Sequence, residues 1–333
     1  MSDRVLAIVV SYNPQIEELS RALQAICNQV QGIIVIDNAS QNVAELSACL
    51  DQIRHTRGSI AQDKVWFLPQ TENLGLGAAH NIGIEWAREQ SFNAVLILDQ
   101  DSVPMNGMVA KLLSASKAKQ ASAVSAVGAV YLNAENNSQS FFVRFGLLKF
   151  KRIYCAQNNE GTEGCVEADF LISSGSLISL AALNVIGDMD ESLFIDHVDT
   201  EWFLRAKSMG YKAYGVCGAA MQHALGEKTH RMRLSVSGRQ RNVPQHKPFR
   251  YYYIFRNSVL LYKRSYCSGL WKWNDLQRLS MIFVMFGLLK APRWQNMKMM
   301  LKGVYDGLRG VTGSVKRLTE TNINADQSGK ERQ

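Results

Sequence analysis

Six apolar residues in a row, Val5 to Val10, stand almost at the start of the chain. An unbroken run of that length is the pattern of a parallel strand buried on both faces, where alternation is not needed. Ser11-Tyr12-Asn13-Pro14 ends it. Ile16, Leu19, Leu23 and Ile26 then recur at helical spacing, with Glu17 and Glu18 in the first turn, where the helix dipole favours acids. Gly32 stops that helix, and residues 33–36 form a second buried strand ending at Asp37-Asn38-Ala39-Ser40. A helix, a strand near 65–68 and a helix from the Asn73-Leu74-Gly75-Leu76-Gly77 turn through Trp86 follow. Residues 94–98 make a further strand, closed by Asp99-Gln100-Asp101. Strands alternating with helices predict an α/β fold with a parallel sheet over the first hundred residues. Such sheets bind ligands beyond the carboxyl ends of their strands, and here each strand ends in polar groups. Asn, Asp and Ser are also good turn formers, which by itself accounts for Asn13-Pro14 and Asn38-Ala39-Ser40.

Beyond residue 105 the pattern loosens. Residues 124–130 predict a strand, 133–140 a polar loop, 141–154 a basic aromatic hairpin, and 169–178 a strand, a glycine break and a turn toward a helix. Residues 228–248 are basic and poor in apolar positions, which predicts a loop or linker. The stretches 251–263, 270–289 and 297–308 read as helices with Trp, Phe and Met on one face and Lys and Arg on the other. The polar tail from 319 predicts disorder. The predicted division is a catalytic domain over 1–227, a linker over 228–248, a basic amphipathic helical region over 249–318 and the tail. No internal repeat is present.

Composition adds two things. The longest apolar run in the C-terminal third, 281–289, is about half of what a spanning helix needs, so no transmembrane segment is expected, and no signal peptide is read at the N-terminus. The net charge of +8 is unevenly placed: residues 1–227 hold 16 Lys and Arg against 24 Asp and Glu, whereas 228–333 hold 21 against 5. A basic third on a slightly acidic body suits a polyanionic surface, lipid or nucleic acid. The six cysteines (27, 49, 155, 165, 217 and 267) form no CxxC pair and read as reduced core thiols, with a Cys155–Cys165 disulfide as the alternative.

Three constellations carry chemistry. Asp99-x-Asp101 after a buried strand offers hard oxygen ligands for one divalent cation, such as Mg²⁺ or Mn²⁺, shared with a diphosphate. A DxD phosphatase shares this spelling and is the alternative for the motif taken alone. The glycines of the Asn73–Gly83 stretch resemble a dinucleotide fingerprint, but His80 occupies its last glycine position and no ribose-binding acid follows, which excludes an NAD site. They serve instead for close backbone approach at a helix N-terminus. Finally, Asp196-His197-Val198-Asp199-Thr200-Glu201 places four titratable side chains in six residues. That is either a solvated helix start or a catalytic group.

In this order the segments resemble family 2 glycosyltransferases of the GT-A fold, and among them the bacterial rhamnosyltransferases that build O-antigen and related polysaccharides. The resemblance spans about residues 4–227. It is carried by Val9-Val10-Ser11-Tyr12-Asn13, Asp37-Asn38-Ala39-Ser40, Asn73-Leu74-Gly75, Leu96-Ile97-Leu98-Asp99-Gln100-Asp101, Ser174-Gly175-Ser176-Leu177, Val198-Asp199 with Leu204-Arg205, and His223-x-x-Gly226. It implies a Rossmann-like, mostly parallel sheet flanked by helices, with a C-terminal helical extension. It further implies that Ser11, Asn13, Asp37, Asn38, Asn73, Gly75 and Asp99 bind the nucleotide-sugar, and that Ser174, Gly175 and Trp202 face the acceptor. Asp101 and His223 would meet the Mg²⁺ or Mn²⁺. Asp199 would be the catalytic base, with Asp196 and Glu201 as rivals because Val198 replaces the family's usual Glu. The implied reaction is inverting transfer of L-rhamnose from dTDP-L-rhamnose, or of another sugar from a UDP- or GDP-linked donor. The acceptor would be a polyprenyl-diphosphate-linked saccharide at the cytoplasmic face of the bacterial plasma membrane. The basic helices, with Trp271, Trp273 and Trp294, would lie on that membrane or pack in a homo-oligomer. No nucleic-acid partner is expected.

Overall fold

The backbone of the chain alternates strand and helix from the first described residue. The computed structural model describes residues 4–56, 64–119, 123–133, 138–147, 149–155, 164–223, 229–233 and 240–315. In chain order the first half holds β1 (Val5–Ser11), α1 (Ile16–Ile26), β2 (Gly32–Asp37), α2 (Val43–Thr56), β3 (Val65–Pro69), α3 (Leu76–Glu89), β4 (Ala94–Asp99), β5 (Ser102–Pro104), α4 (Met108–Ala118), β6 (Val124–Asn133), β7 (Phe142–Arg144) and β8 (Lys151–Ile153). The second holds β9 (Cys165–Ala168), β10 (Ser176–Ser179), α5 (Leu180–Ile186), α6 (Val198–Ser208), β11 (Lys212–His223), β12 (Thr229–Arg233), β13 (Gln240–Pro244), α7 (Pro248–Tyr262), α8 (Gly269–Ile282), a π-helical turn (Phe283–Leu289) and α9 (Arg293–Leu308).

The main sheet runs β3-β2-β1-β4-β10-β6-β11-β5, with β9 on β11. The first four strands are parallel, as the continuous apolar runs require, while β10 is antiparallel to both neighbours. Strand pleating divides β1 between two cores. Leu6 and Ile8 face one core with Val95, Ile97 and residues of α3, α5 and α6, whereas Val5, Ala7 and Val9 face the other with residues of α1, α2 and α4. Parallel register then aligns the strand ends: Ser11 lies opposite Asp37, and Val10 opposite Asp99. Because the chain winds from β1 outward to β3 and returns as β4, the edge between β1 and β4 is where connectivity reverses, the position at which open α/β sheets bind their ligands.

The helical region is not a loose appendage. Leu260, Leu261, Cys267 and Trp271 from the α7–α8 stretch belong to the same core as α3 and α6. A smaller core joins Tyr251, Ile254 and Phe255 of α7 to Leu279, Met285, Phe286 and Met300. Helices α7 and α9 cross so closely that a Cβ on Gly303 would lie 2.4 Å from the Tyr252 carbonyl oxygen, which only glycine avoids.

Three expectations change. Residues 229–244, read as a loop or linker, contain β12 and β13 paired antiparallel. The strand expected at the start of 169–178 is absent there: β9 ends at Ala168, and β10 begins only at Ser176. Cys155, expected to be reduced or joined to Cys165, is bonded instead to Cys217 on β11, 62 residues away. Cys27, Cys49, Cys165 and Cys267 form no disulfide among the described residues. The expected hairpin in 141–154 is present as β7 and β8. The tail expected at 319–333 lies outside the described residues.

Candidate active site

Asp37 at the end of β2 is fully buried. The hydroxyl of Ser11 donates to its Oδ1 (2.9 Å), and the Ser40 amide donates to Oδ2 (2.9 Å). The Ser40 hydroxyl also donates to Asp37 Oδ1 and accepts from the Asn13 amide at 2.7 Å. Asn13 in turn accepts from the Gln41 amide (2.7 Å), and the Tyr12 amide donates to Gln100 Oε1 (2.8 Å). The ends of β1, β2 and β4 are therefore laced together. A buried carboxylate is tolerable there because hydroxyls and amides replace its water.

A second turn supports the same edge. Asn38 Oδ1 accepts from the Leu74 amide (2.8 Å), and its Nδ2 donates to the Gly75 carbonyl (3.3 Å), while Asn73 Oδ1 accepts from the Gly75 amide (3.0 Å). Gly75 sits at φ +87°, and a Cβ there would lie 2.6 Å from the Phe194 carbonyl oxygen, so the residue must be glycine. The Leu76 amide donates to that same carbonyl at 2.6 Å.

The chemistry concentrates beside these turns. The Asp99 amide donates to Ser174 Oγ (2.9 Å), whose hydroxyl donates to Ser102 Oγ (2.9 Å), and the Tyr131 hydroxyl donates to the Ser174 carbonyl. Burial, then the charges of Asp99, Asp199 and Asp101, push the Tyr131 phenol well above its ordinary value. Two of these carboxylates come from the end of β4 and the turn after it, and the third comes from the start of α6, about a hundred residues later. Asp199, in the first turn of α6, accepts from the Thr200 amide (2.6 Å) and the Ser173 amide (3.3 Å). Burial raises its pKa, and those hydrogen bonds pull it partly back. A carboxylate with a raised pKa is a stronger base than an exposed one, which suits proton removal from a hydroxyl.

Among the described residues no three His, Cys, Asp or Glu side chains gather as a ready-made metal cage. The donor chemistry still fits a hard cation. Mg²⁺ and Mn²⁺ accept one or two carboxylates and fill the remaining positions with phosphate oxygens and water, and the crevice carries an excess of negative charge. Asp101, between β4 and β5, offers one such carboxylate. The backbone of His223 pairs with Ser102, next to Asp101, and the His223 side chain lies outside what the structure describes.

Several expected residues take other roles. Trp202 is fully buried, its indole N–H donating to the Gly187 carbonyl (2.8 Å), so it packs in the core instead of touching an acceptor. Ser174 and Gly175 are buried too, and Ser174 spends its polar atoms on Asp99, Ser102 and Tyr131. Glu201, a rival base, is 1% exposed and pairs with Arg205 (2.9 Å) while accepting from Tyr266 (2.5 Å). Asp196, the other rival, pairs with Arg250 at 2.7 Å. Tyr131 is a site residue that sequence reasoning missed, because the predicted strand was ended one position before it.

Asp199 follows a contorted segment. Phe194, Asp196 and His197 all lie at positive φ (65°, 60° and 63°), and a left-handed backbone costs a non-glycine residue about 1–2 kcal/mol. Such strain persists only where surrounding structure fixes it.

Comparison with known proteins agrees with this geometry. Residues 6–170 match the model of glycosyl transferase family 2. The chain is 27% identical over 323 residues to dTDP-rhamnosyl transferase RfbF of Shigella flexneri, covering 94% of this chain and 98% of that protein. Among solved structures, GalNAc-T7 with UDP, GalNAc and Mn²⁺ superposes at TM-score 0.59 and 13% identity, over 92% of this chain but only 56% of that one. S. aureus TarS 1-349 in complex with UDP-GlcNAc gives TM-score 0.52 at 14% identity, over 92% and 81% of the two chains. At these identities the two structures establish the fold alone.

Proposed function

We propose that this chain, whose residues 6–170 match the glycosyl transferase family 2 model, transfers L-rhamnose from dTDP-L-rhamnose to a saccharide acceptor with inversion. The observation that carries this reading is the bonded network at the strand ends, where Ser11 and Ser40 hold Asp37, Ser174 joins the Asp99 amide to Ser102, and Asp199 accepts from the Ser173 amide next to Ser174. Ser11, Asn13, Asp37, Asn38, Asn73 and Gly75 shape the nucleotide side, and Asp99 the sugar side. Asp199 takes the proton of an acceptor hydroxyl as its oxygen attacks C1 of the sugar, and the bond from C1 to the diphosphate oxygen breaks with its electron pair leaving on dTDP. Asp101, with His223 as the second ligand that the family resemblance implies, would hold a Mg²⁺ or Mn²⁺ that supplies Lewis-acid neutralisation of the leaving group. The donor assignment is supported by the similarity to the Shigella protein. A DxD phosphatase finds no support in the family match.

The acceptor side extends the proposal to a lipid-linked saccharide at an anionic membrane. No helix among the described residues is long and apolar enough to cross a bilayer. Helix α9, however, exposes Trp294, Lys298, Leu301, Tyr305 and Leu308 at spacings of three and four, one stripe along its outer side, and the neighbouring π-helical turn exposes Leu288 and Leu289. Arg293, Lys298 and Arg309 are exposed beside them. This basic rim favours anionic lipid over a second copy of the same face, which it would repel.

A thermal-shift panel of dTDP, UDP and GDP, each with and without Mn²⁺ or Mg²⁺, tests the donor. The expected result is the largest stabilisation with dTDP and its dependence on the metal. Stabilisation by UDP or GDP with none by dTDP would replace the donor assignment.

A further inference from the structure

We infer that Asn257, on helix α7 and outside the strand-end crevice, is a positioning residue for Asp199, holding residues 193–197 in the one conformation from which the base-bearing helix α6 can start. The inference rests on the reading of Asp199 as the base.

Asn257 is fully buried, and the amide nitrogen of its side chain is committed to that segment. Its Nδ2 lies 3.0 Å from the Leu193 carbonyl oxygen, 2.8 Å from that of Ile195 and 2.8 Å from that of Asp196. Two amide hydrogens therefore serve three carbonyls, one of them shared. The orientation of the amide is fixed by its other end, where Oδ1 accepts from Arg256 Nε at 2.9 Å, a group that can only donate. Arg256, also fully buried, adds its own bond to the Leu193 carbonyl (2.8 Å) and anchors itself on the Gly313 carbonyl (2.6 Å).

The carbonyls served belong to the segment with three left-handed non-glycine residues. The Leu193 carbonyl accepts from the Ile195 amide within the segment at 2.8 Å, whereas the bonds to the Ile195 and Asp196 carbonyls come from Asn257 on α7. Residues from α7 and α8 supply the rest of the grip. Tyr253 stacks on Phe194 at 5.2 Å, Arg250 pairs with Asp196 at 2.7 Å, and Arg278 donates to Nε2 of His197 at 2.9 Å. On its far side the segment meets the Gly75 turn through the bond from the Leu76 amide to the Phe194 carbonyl. His197 is the N-cap of α6, and Asp199 stands two residues on. A rotation of this segment would turn the first turn of α6 and carry the Asp199 carboxylate away from Ser173 and Tyr131. The Gly75 turn keeps its own bonds to Asn38 and Asn73, so donor binding should survive.

The test uses the full chain and release of dTDP from dTDP-L-rhamnose, with water taking the place of the acceptor. N257D keeps the size of the side chain, removes both donor hydrogens and sets oxygen against three carbonyl oxygens. The expected result is a fall in kcat, taken per mole of folded protein as measured by circular dichroism, of about tenfold or more with the donor KM within about threefold, a split that loss of donor binding would not give. Amide hydrogen exchange should rise over residues 193–203 and stay unchanged in β1, β2 and β4. R250A, at a partly exposed position on the same grip, should shift kcat in the same direction by a smaller factor, and it decides the matter alone if N257D does not fold. Wild-type kcat in N257D, or in R250A where N257D is not folded, overturns the inference. D199N releasing dTDP at the wild-type rate would instead remove the base itself.

Discussion

At the scale of single residues, the base makes the sharpest prediction. Asp199→Asn should cut turnover by roughly 10²–10⁴-fold while leaving dTDP affinity near wild type, as measured by steady-state release and calorimetry. The rate should rise with pH through a limb above the ordinary carboxylate range, because burial raises the Asp199 pKa and the base works only when ionised. Two histidines govern stability instead. His80 is 1% exposed with neither ring nitrogen bonded among the described residues, and burial lowers its pKa to about 4; burial, then the Arg278 charge, does the same for His197. The unfolded chain protonates both near 6.5, so stability is fully present above that pH and drains away as pH falls toward about 4, by up to roughly 3 kcal/mol per histidine. His80→Leu should therefore flatten the fall in melting temperature between pH 7 and pH 5, and an unchanged slope would exonerate His80. Ser11, Asp37, Asp99, Asp101 and Asp199 were legible because each is a polar break next to an apolar pattern. Trp202 was misjudged because composition does not say which side of α6 faces inward. Tyr131 was invisible, since its role depends on what lies across β10.

At the scale of elements, the first hundred residues were legible almost throughout, because parallel strands buried on both faces announce themselves as unbroken apolar runs. The later elements were not. The antiparallel entry of β10 between β4 and β6 depends on partners distant in sequence, and the pairing of β12 with β13 occurs without an apolar face to signal it. The crossing of α7 and α9 was equally hidden, and it is testable. Gly303→Ala would set a Cβ 2.4 Å from a backbone oxygen, so α9 must shift; the expected cost is about 1–3 kcal/mol in denaturant unfolding, with the m-value unchanged. A cost near zero would mean that the crossing is looser than it looks. The basic apolar helices at 249–308 were visible as helices, but not as part of the main core.

At the scale of the whole molecule, that last point decides how membrane association can be examined. Deleting the C-terminal third would remove Arg256 and Asn257 from beneath the base, so a truncated chain would report damage to the site as well as loss of a surface. Point changes are cleaner. The triple variant W294E, L301E and L308E alters exposed positions on α9 and should leave dTDP release intact while lowering co-sedimentation with phosphatidylglycerol vesicles by about tenfold or more. Wild-type binding should weaken at high salt and be weak on phosphatidylcholine. Equal binding by the variant would remove the stripe from the proposal, and a change from dimer to monomer would reassign it to a second copy.

The register that sets Ser11 opposite Asp37 and Val10 opposite Asp99 also constrains how this chain can change by descent. Losing one residue inside β1 would exchange its two faces, turning the residues of each core toward the other. Such a deletion does not trim the site; it scrambles it. Additions and losses that related chains survive should therefore fall in the connections beyond the strand ends, and donor preference should drift by the rewriting of turns while the spacing of the strands beneath them stays fixed.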